Sequence, residues 1–256
     1  MRIAAVIPAR FAATRLPGKP LADIHGRPMI VRVLDRVRLA RRIERVLVAT
    51  DDERIAAAVR DAGGEAVMTS SAHRSGTDRL AEAAASLEAD VVLNVQGDEP
   101  LIDPGPLDAL AEAMRADPEV AMGTLAVPLH SLDDMLAPAV VKVVVDHKGD
   151  ALYFSRSPIP HVRVPTGDAR EAARAALERG LARRHLGVYA YRRATLLAFA
   201  SWPEAPLEAA EGLEQLRALH HGVRIRVVDV AGDGGVAVDT PEDLERVRRL
   251  LAPRRA

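Results

Sequence analysis

Cysteine is absent from the 256-residue chain, and aromatic residues make up only 3% of it. Without cysteine, the protein has no disulfides and no thiolate ligands for a metal. Lysine and arginine (35) almost balance aspartate and glutamate (36), which leaves a formal net charge of −1. This balance provides no global attraction for nucleic acid or for anionic membranes, so we expect no nucleic-acid partner.

Long apolar runs are also missing, since no stretch approaches the roughly 20 residues that are needed to span a bilayer. The N-terminal sequence does not resemble a signal peptide, because Arg2 is followed by a short apolar run and then by Arg10. These features predict a soluble, cytoplasmic protein without membrane insertion.

Two common phosphate-binding loops are missing after the first apolar run. A Walker A loop needs a glycine five residues before Gly18 and a serine or threonine after Lys19, where this chain has Ala13 and Pro20. The dinucleotide fingerprint of closely spaced glycines is absent as well. Side chains and local backbone amides must therefore hold any anion that binds here.

The first apolar run ends at Pro8, is typical of a buried strand, and opens into a basic loop. That loop carries Arg10, Arg15 and Lys19, and ligands of open α/β sheets bind outside the carboxyl ends of the strands. Three cations there indicate a polyanion, most simply a nucleoside triphosphate; a solvated basic loop is the alternative. Pro17-Gly18 fits the centre of a type II turn, which would orient Lys19.

Apolar runs alternate with helical periodicities along the first half, which predicts a parallel sheet with right-handed crossovers. In the second half, two runs flanking residues 147–150 predict a hairpin and so antiparallel additions to the sheet. The proline-rich segment 155–167 is expected to be a loop or a dimer-contact arm. One α/β domain over residues 1–256 is the economical prediction.

Further helices are predicted to start at Pro28, Pro104, Pro206 and Pro241. On the helix that Pro206 begins, the side chains of Leu213, Leu216 and Leu219 are predicted to face inward.

Asp98 and Asp239 each close an apolar run and lie at a turn. Mg²⁺ prefers oxygen ligands and usually takes one or two carboxylates together with substrate phosphates. The two acids therefore predict a magnesium site beside the basic loop. The alternatives are that Asp239 caps the helix after Thr240 and that Asp98 belongs to a plain turn.

The chain resembles a known family in segments that are spread over its whole length. Two blocks, RLPGKPL and NVQGDEP, are shared by related sugar-nucleotide cytidylyltransferases. Three blocks, YFSRSPIP, HLGVYAYR and LEQLR, are more specific to the 3-deoxy-manno-octulosonate cytidylyltransferases, the CMP-KDO synthetases of Gram-negative bacteria. Further matching segments are IPARFAATRLPGKPLADIHGRPMI, VATDD, HRSGTDRLAE, VLNVQGDEPLI, LAVP, VKVV, PLEAAEGLEQLRAL and VDTPEDLERVR.

This resemblance implies a transfer of CMP from CTP to 3-deoxy-D-manno-octulosonate (KDO), giving CMP-KDO and pyrophosphate, which activates KDO for lipopolysaccharide synthesis. It implies a Rossmann-like nucleotidyltransferase fold, with a mostly parallel central sheet, antiparallel additions and helices on both faces. It also implies a Mg²⁺-dependent homodimer. Two other functions remain open: a cytidylyltransferase for another acid sugar, such as a sialic acid, and a non-catalytic nucleotide-binding protein.

The resemblance also implies roles for individual residues. Catalysis falls to Asp98, Asp239, Lys19 and Arg15, of which Asp98 and Asp239 ligate the metal. CTP is held by Pro8, Ala9, Arg10, Arg15, Lys19, Arg74, Ser75 and Asp98. The sugar is held by Gln96, Arg156, His185, Tyr189, Glu214 and Gln215.

Several of the sugar residues have plainer alternatives. Arg156 would otherwise form a salt bridge at a dimer contact, and His185 would be a satisfied structural histidine. Glu214 and Gln215 would lie on a solvated helix face. Gly212 interrupts the helix predicted there and would cost about 1 kcal/mol relative to alanine.

Overall fold

The computed structural model of the protein describes residues 1–12, 16–73, 75–165, 167–232 and 235–252. These residues form a mixed α/β fold. Its strands are β1 (Ile3–Ala9), β2 (Asp23–Ile24), β3 (Arg27–Pro28), β4 (Arg45–Thr50), β5 (Glu65–Met68), β6 (Val91–Asn94), β7 (Met122–Pro128), β8 (Lys142–Val145), β9 (Ala151–Ser155), β10 (Arg183–Arg192) and β11 (Ile225–Asp229). Its helices are α1 (Met29–Val37), α2 (Glu53–Asp61), α3 (Gly76–Ala85), α4 (Pro104–Ala116), α5 (Leu132–Leu136), α6 (Ala169–Glu178), α7 (Arg193–Ser201), α8 (Pro206–Glu211), α9 (Gln215–His220) and α10 (Pro241–Leu250), with a short 3₁₀ helix at Lys19–Leu21.

The chain forms two compact units. Unit 1 contains Met1–Glu112, Ala190–Ala200 and Gly235–Ala256, and unit 2 contains Ala113–Tyr189 and Ser201–Gly234. The prediction of a single domain over residues 1–256 stays a prediction.

Unit 1 is built on parallel strands in the order β6, β1, β4, β5. Strand β1 lies between β4 and β6 and is apolar and almost entirely buried, as a strand covered on both faces must be. Because β1 and β6 are parallel, their carboxyl ends reach the same edge of the sheet. A separate apolar cluster joins the β2 region to the last helix through Ile24, Met29, Val238, Leu244 and Val247.

Unit 2 contains the antiparallel additions that the sequence predicts. Strands β8 and β9 form an antiparallel pair around a turn at residues 146–150, and β8 also pairs antiparallel with β10. Strand β11 pairs parallel with β7, which neighbours β10. The buried core between α5 and α6 includes Leu129, Met135, Val162, Ala173 and Ala176. The mostly parallel α/β fold with antiparallel additions is therefore confirmed.

Two boundary predictions are wrong. Helix α1 begins at Met29, and Pro28 is its N-cap residue rather than its first helical residue. The helix predicted from Pro206 is two short helices, α8 and α9, because Gly212 between them adopts a left-handed conformation with φ 60°. A residue in that conformation ends an α-helix, and glycine is the residue that adopts it without strain.

The proline-rich segment forms neither helix nor strand between residues 156 and 165, in agreement with its predicted loop character. Among the described residues, none of the helices combines the length and the apolar character that a membrane crossing requires.

Candidate active site

A tight turn after β1 positions Lys19. The amide of Lys19 donates to the carbonyl of Leu16 at 3.1 Å, with Pro17 and Gly18 at the centre of the turn and Gly18 at φ 69°. This is the type II geometry that the sequence predicts. The amide of Gly18 also donates to the carbonyl of Phe11 at 3.2 Å, which ties the turn to the residues that follow β1.

The ammonium group of Lys19 contacts both predicted metal-ligating acids. Its Nζ lies 2.8 Å from Asp98 Oδ2 and 3.4 Å from Asp239 Oδ1, and it donates to the carbonyl of Val238 at 2.9 Å. The side chains of Lys19, Asp98 and Asp239 are 17%, 26% and 45% exposed, so the group lines an open surface. The two acids thus meet around one cation beside the loop that follows β1, as the sequence predicts.

A close backbone approach places Asp98 beside the end of β1. A Cβ atom on Gly97 would lie 2.9 Å from the carbonyl oxygen of Pro8, a separation that real side chains do not reach. The carbonyl of Asp98 accepts a hydrogen bond from the amide of Val238 at 2.9 Å. This bond brings the distant segment that contains Asp239 to the same place.

Asp239 is not the cap of α10. The hydroxyl of Thr240 accepts from the amide of Asp243 at 3.2 Å, and the carboxylate of Asp243 accepts from the amides of Asp239 and Thr240. These bonds, first of all the one from the amide of Asp239, lower the pKa of Asp243. The capping alternative for Asp239 is therefore wrong, and its carboxylate is directed toward Lys19 instead.

A cleft of about 350 Å³ surrounds this group at the carboxyl ends of β1 and β6. Seven of the predicted CTP and metal residues line it, together with Gln96: Pro8, Ala9, Arg10, Lys19, Ser75, Asp98 and Asp239. Two other predicted residues, Arg15 and Arg74, lie outside the described residues.

The N-terminus of α3 forms one wall of the cleft through Ser75. The Ser75 hydroxyl accepts from the amide of Asp78 at 3.1 Å, and the amide of Ser75 donates to the Asp78 carboxylate at 3.3 Å. Ser75 is thus the helix cap, and its position is set by that reciprocal pair of bonds.

Sequence reasoning missed two residues with ionisable side chains that line the cleft, Arg79 and His73. The buried guanidinium of Arg79 donates to Asp51 at 2.8 Å and to the hydroxyl of Thr69. His73 contacts the carboxylate of Glu82. Both residues lie in the HRSGTDRLAE block. The available sequence signal was the position of Arg79, about one turn after the residue that caps the helix.

Unit 2 holds most of the predicted sugar residues, and Arg156 is the most constrained of them. Its guanidinium donates to the carbonyls of Glu211 at 2.7 Å, Pro138 at 3.0 Å and Gly212 at 3.3 Å. Three of its five N–H groups are therefore engaged by backbone, and two remain for a ligand. The side chain is held against the turn between α8 and α9.

Two charged residues that the sequence did not reveal, the half-buried Glu211 and the buried Lys142, support Arg156. The Glu211 carboxylate accepts from the Ser155 hydroxyl at 2.6 Å and from the Arg156 amide at 2.9 Å. Burial alone would raise the pKa of Glu211, but these hydrogen bonds outweigh burial and lower it. The fully buried Lys142 donates to the carbonyl of Arg156 at 2.5 Å, and burial lowers the pKa of its ammonium group.

Glu214 and Gln215 lie where α9 begins, just after the turn at Gly212. Glu214 is half-buried, and Gln215 is only 3% exposed, so the solvated-face alternative is wrong for Gln215. Among the described residues, the Nε2 of Gln215 has no hydrogen-bond partner. A buried amide donor normally has one, so Gln215 is an exception in this part of the structure.

His185 and Tyr189 lie on β10 with ring centroids 5.3 Å apart, and Phe154 packs edge-on against His185 at 5.0 Å. His185 is half-buried, and burial lowers its pKa to about 3. The imidazole is therefore neutral at physiological pH. Its Nε2 lies 2.9 Å from the hydroxyl of Thr124.

Comparisons with known proteins identify the family to which the chain belongs. The model of the family described as Cytidylyltransferase matches residues 4–225. The chain is 53% identical to a 3-deoxy-manno-octulosonate cytidylyltransferase of Geobacter metallireducens over 252 residues, covering 98% of both chains. It is 53% identical to the protein of the same name from Geobacter sulfurreducens over 251 residues, covering 98% of this chain and 100% of that one.

Solved structures show the same likeness. A structure of CMP:2-keto-3-deoxy-manno-octonic acid synthetase complexed with CTP superposes with a TM-score of 0.89 at 45% identity, covering 98% of this chain and 99% of that one. A 4-diphosphocytidyl-2C-methyl-D-erythritol synthase from Anaerococcus prevotii shares the fold, with a TM-score of 0.63 at 15% identity, and covers 98% of this chain and 99% of that one. The chain therefore belongs to the cytidylyltransferase family, among the 3-deoxy-manno-octulosonate cytidylyltransferases, and is a nucleotidyltransferase.

Proposed function

We propose that the protein transfers CMP from CTP to KDO and releases CMP-KDO and pyrophosphate. The observation that carries this proposal is the contact of Lys19 Nζ with both Asp98 and Asp239, at 2.8 and 3.4 Å, in the cleft at the ends of β1 and β6. The names of relatives at 53% identity support KDO as the acceptor. The likeness to a synthetase complexed with CTP supports the nucleotide.

In this reaction the anomeric hydroxyl oxygen of KDO forms a bond to the α-phosphorus of CTP. The bond from that phosphorus to the bridging oxygen breaks, and pyrophosphate leaves with the electron pair while the hydroxyl loses its proton. Such a transfer depends on positioning and on charge neutralisation more than on a covalent intermediate. Lys19 and Arg10 line the cleft, and their charges would neutralise the phosphates.

The donor set in the cleft fits Mg²⁺. Asp98 and Asp239 each direct one carboxylate oxygen at the same ammonium group, so their oxygens already surround one position of positive charge. Within the described residues there is no group of three or more side chains that would hold a metal unaided. Mg²⁺ favours a coordination shell of one or two carboxylates that is completed by phosphate oxygens and water. When bound, the ion would supply charge neutralisation at the phosphates.

The sugar side of the proposal rests on unit 2. Arg156 keeps two N–H groups for the KDO carboxylate, which a guanidinium binds well because its donors form a planar fork. Gln215 offers a buried amide donor, and Glu214 lies beside it. His185 and Tyr189 form a neighbouring polar and aromatic pair on β10. Gln96, the remaining predicted sugar residue, lines the cleft of unit 1.

The test is pyrophosphate release from CTP with KDO, with and without Mg²⁺, and with identification of the product by mass. We expect release with KDO that depends on Mg²⁺ and is abolished by a chelator. Release with sialic acid but not with KDO would overturn the choice of sugar. Binding of CTP without turnover in the presence of Mg²⁺ and KDO would favour a non-catalytic nucleotide-binding protein.

The wider role follows from the same resemblance. We propose that the protein acts as a cytoplasmic homodimer that activates KDO for lipopolysaccharide synthesis. Sedimentation analysis of the purified protein tests the dimer, and a sedimentation coefficient typical of a 27.5 kDa monomer would overturn it.

A further inference from the structure

Thr124 is a fully buried threonine on β7, and the predicted site residues do not include it. Its hydroxyl oxygen lies within hydrogen-bonding distance of three groups on β10. They are the carbonyl of Val188 at 2.8 Å, the carbonyl of Leu186 at 3.2 Å and the Nε2 of His185 at 2.9 Å. These contacts determine which atom carries each proton.

A threonine hydroxyl has one proton to donate, and carbonyl oxygens only accept. At 2.8 Å from the carbonyl of Val188, the hydroxyl must direct its proton at a carbonyl, because two bare oxygens would otherwise repel each other. The hydroxyl oxygen can then only accept from His185. The proton of the neutral imidazole therefore lies on Nε2, and Nδ1 is bare.

This assignment limits what His185 can recognise. Its Nε2–H group is used by Thr124, and Nδ1 has no hydrogen-bond donor among the described residues. A neutral imidazole with a bare Nδ1 accepts from a hydroxyl but offers nothing to a carboxylate. Phe154 and Tyr189 pack against the imidazole ring, and these contacts restrict its rotation away from Thr124.

We propose that Thr124 is the positioning residue for His185, holding its imidazole in the Nε2–H form so that Nδ1 accepts a hydrogen bond from a hydroxyl of the acid sugar. The inference rests on the proposed function, since it assumes that the sugar reaches His185. Thr124 acts only through His185 and touches no reacting atom.

The first measurement is the tautomer of His185. In protein labelled with ¹⁵N-histidine, long-range proton–nitrogen correlation separates protonated from bare ring nitrogens, and the signals that vanish in His185→Gln belong to this residue. We expect a protonated Nε2 and a bare Nδ1 in the wild-type protein. A protonated Nδ1 would overturn the inference, and this spectrum requires no substitution at Thr124.

The second measurement compares Thr124→Val with Thr124→Ser. Valine keeps the shape but removes the hydroxyl, so we expect a mixture of tautomers and a KM for KDO raised about five- to tenfold, in line with the loss of one hydrogen bond. The KM for CTP should not change. Serine restores the hydroxyl and should restore both the single tautomer and the KM for KDO.

The outcomes separate this inference from the proposed function. A wild-type protein that does not turn over CTP with KDO would refute the proposed function, and the sugar part of the inference with it. An active wild-type protein whose Thr124→Val variant keeps its KM for KDO would refute only the role of Thr124.

Discussion

Asp98 and Asp239 come from segments that are far apart in the sequence, yet both carboxylates contact the same ammonium group of Lys19. Two carboxylates so close to one another repel, and a partly buried cation between them offsets that repulsion. The same two charges that hold Lys19 are available to a divalent cation. The chemistry of the cleft therefore depends on the charges of these three side chains.

The first prediction concerns Asp98→Asn, which keeps the size of the side chain but removes its charge. We expect turnover to fall by about 10²–10³, because a transition-state stabiliser is lost, while the fold is retained. Pyrophosphate release measures the rate, and circular dichroism with thermal unfolding measures the fold. Asp61→Asn, at an exposed position on α2, is the matched control and should keep full activity. Near-normal turnover of Asp98→Asn would refute the metal role.

The second prediction concerns how Glu211 makes the free energy of unfolding depend on pH. Its folded pKa is lowered by bonds from Ser155 and Arg156, so its contribution to the free energy of unfolding is present above the unfolded pKa. That contribution is lost as the pH falls through the folded pKa. Glu211→Gln should therefore cost about 1–2 kcal/mol at neutral pH, and the difference from wild type should shrink in acid.

Urea unfolding at a series of pH values from neutral to acid measures this difference. Glu178→Gln, at an exposed position on α6, is the control and should follow the wild-type curve at every pH. A Glu211→Gln deficit that stays constant down to strongly acid pH would contradict the assignment.

At the scale of elements, the turn between α8 and α9 determines where the sugar residues lie. Helix α8 ends at Gly212 in a left-handed conformation, and α9 starts only three residues later at Gln215. The carbonyls of Glu211 and Gly212, freed by the end of α8, are the ones that Arg156 binds. The end of one short helix therefore serves as the acceptor site for a side chain from the end of β9.

The third prediction uses two glycines with nearly the same backbone conformation. Gly212 has φ 60° and Gly180, after α6, has φ 64°. Alanine at either position should cost about 1–2 kcal/mol, because a Cβ atom is strained in the left-handed region. Only Gly212→Ala should also raise the KM for KDO, since only Gly212 lies against Arg156.

Denaturant unfolding measures the first effect, and steady-state kinetics measures the second. A Cβ atom added to Gly180 would meet no heavy atom within 4 Å, so the Gly180→Ala variant reports backbone strain alone. Equal changes in KM in the two variants would refute a special role for the turn at Gly212.

At the scale of the whole molecule, the predicted nucleotide residues and most of the predicted sugar residues belong to different compact units. Lys19, Asp98 and Asp239 lie in unit 1, whereas Arg156 and His185 lie in unit 2. This division predicts that substitutions in each unit affect mainly one substrate.

The fourth prediction follows from that division. Lys19→Met should raise the Kd for CTP, because a phosphate-binding cation is lost, and should leave the KM for KDO nearly unchanged. Arg156→Ala should do the reverse. Calorimetry with CTP alone and kinetics with varied KDO separate the two effects, and Lys148→Met, in the exposed turn before β9, should change neither. Parallel losses for both substrates in both variants would contradict the division.

Local patterns were sufficient for much of the fold. Continuous apolar runs predicted β1, β4 and β6 because a strand buried on both faces has no polar side to alternate with. The Thr240-Pro241 pair predicted the start of α10 because the cap and the first helical residue are set by local chemistry. The leucine spacing predicts one helix that Gly212 only interrupts, whereas the structure ends α8 at that glycine.

The site was predicted in part. The sequence predicted the site residues at the ends of strands, because parallel strands bring their carboxyl ends to one edge of the sheet. Residues that act by supporting others, such as Arg79, Glu211 and Lys142, were missed. Their partners are backbone carbonyls and side chains of distant segments, and no local pattern marks such partners.

The sequence by itself determined the identity of the charged groups, the buried first strand and the turn that orients Lys19, since each of these depends on neighbouring residues. Only the tertiary structure decided that Asp239 reaches Lys19 instead of capping a helix, and that the hydroxyl of Thr124 lies against the imidazole of His185. Those outcomes depend on hydrogen bonds between segments far apart in the chain, such as the one from Val238 to Asp98. Bonds of that kind form only when the chain has folded.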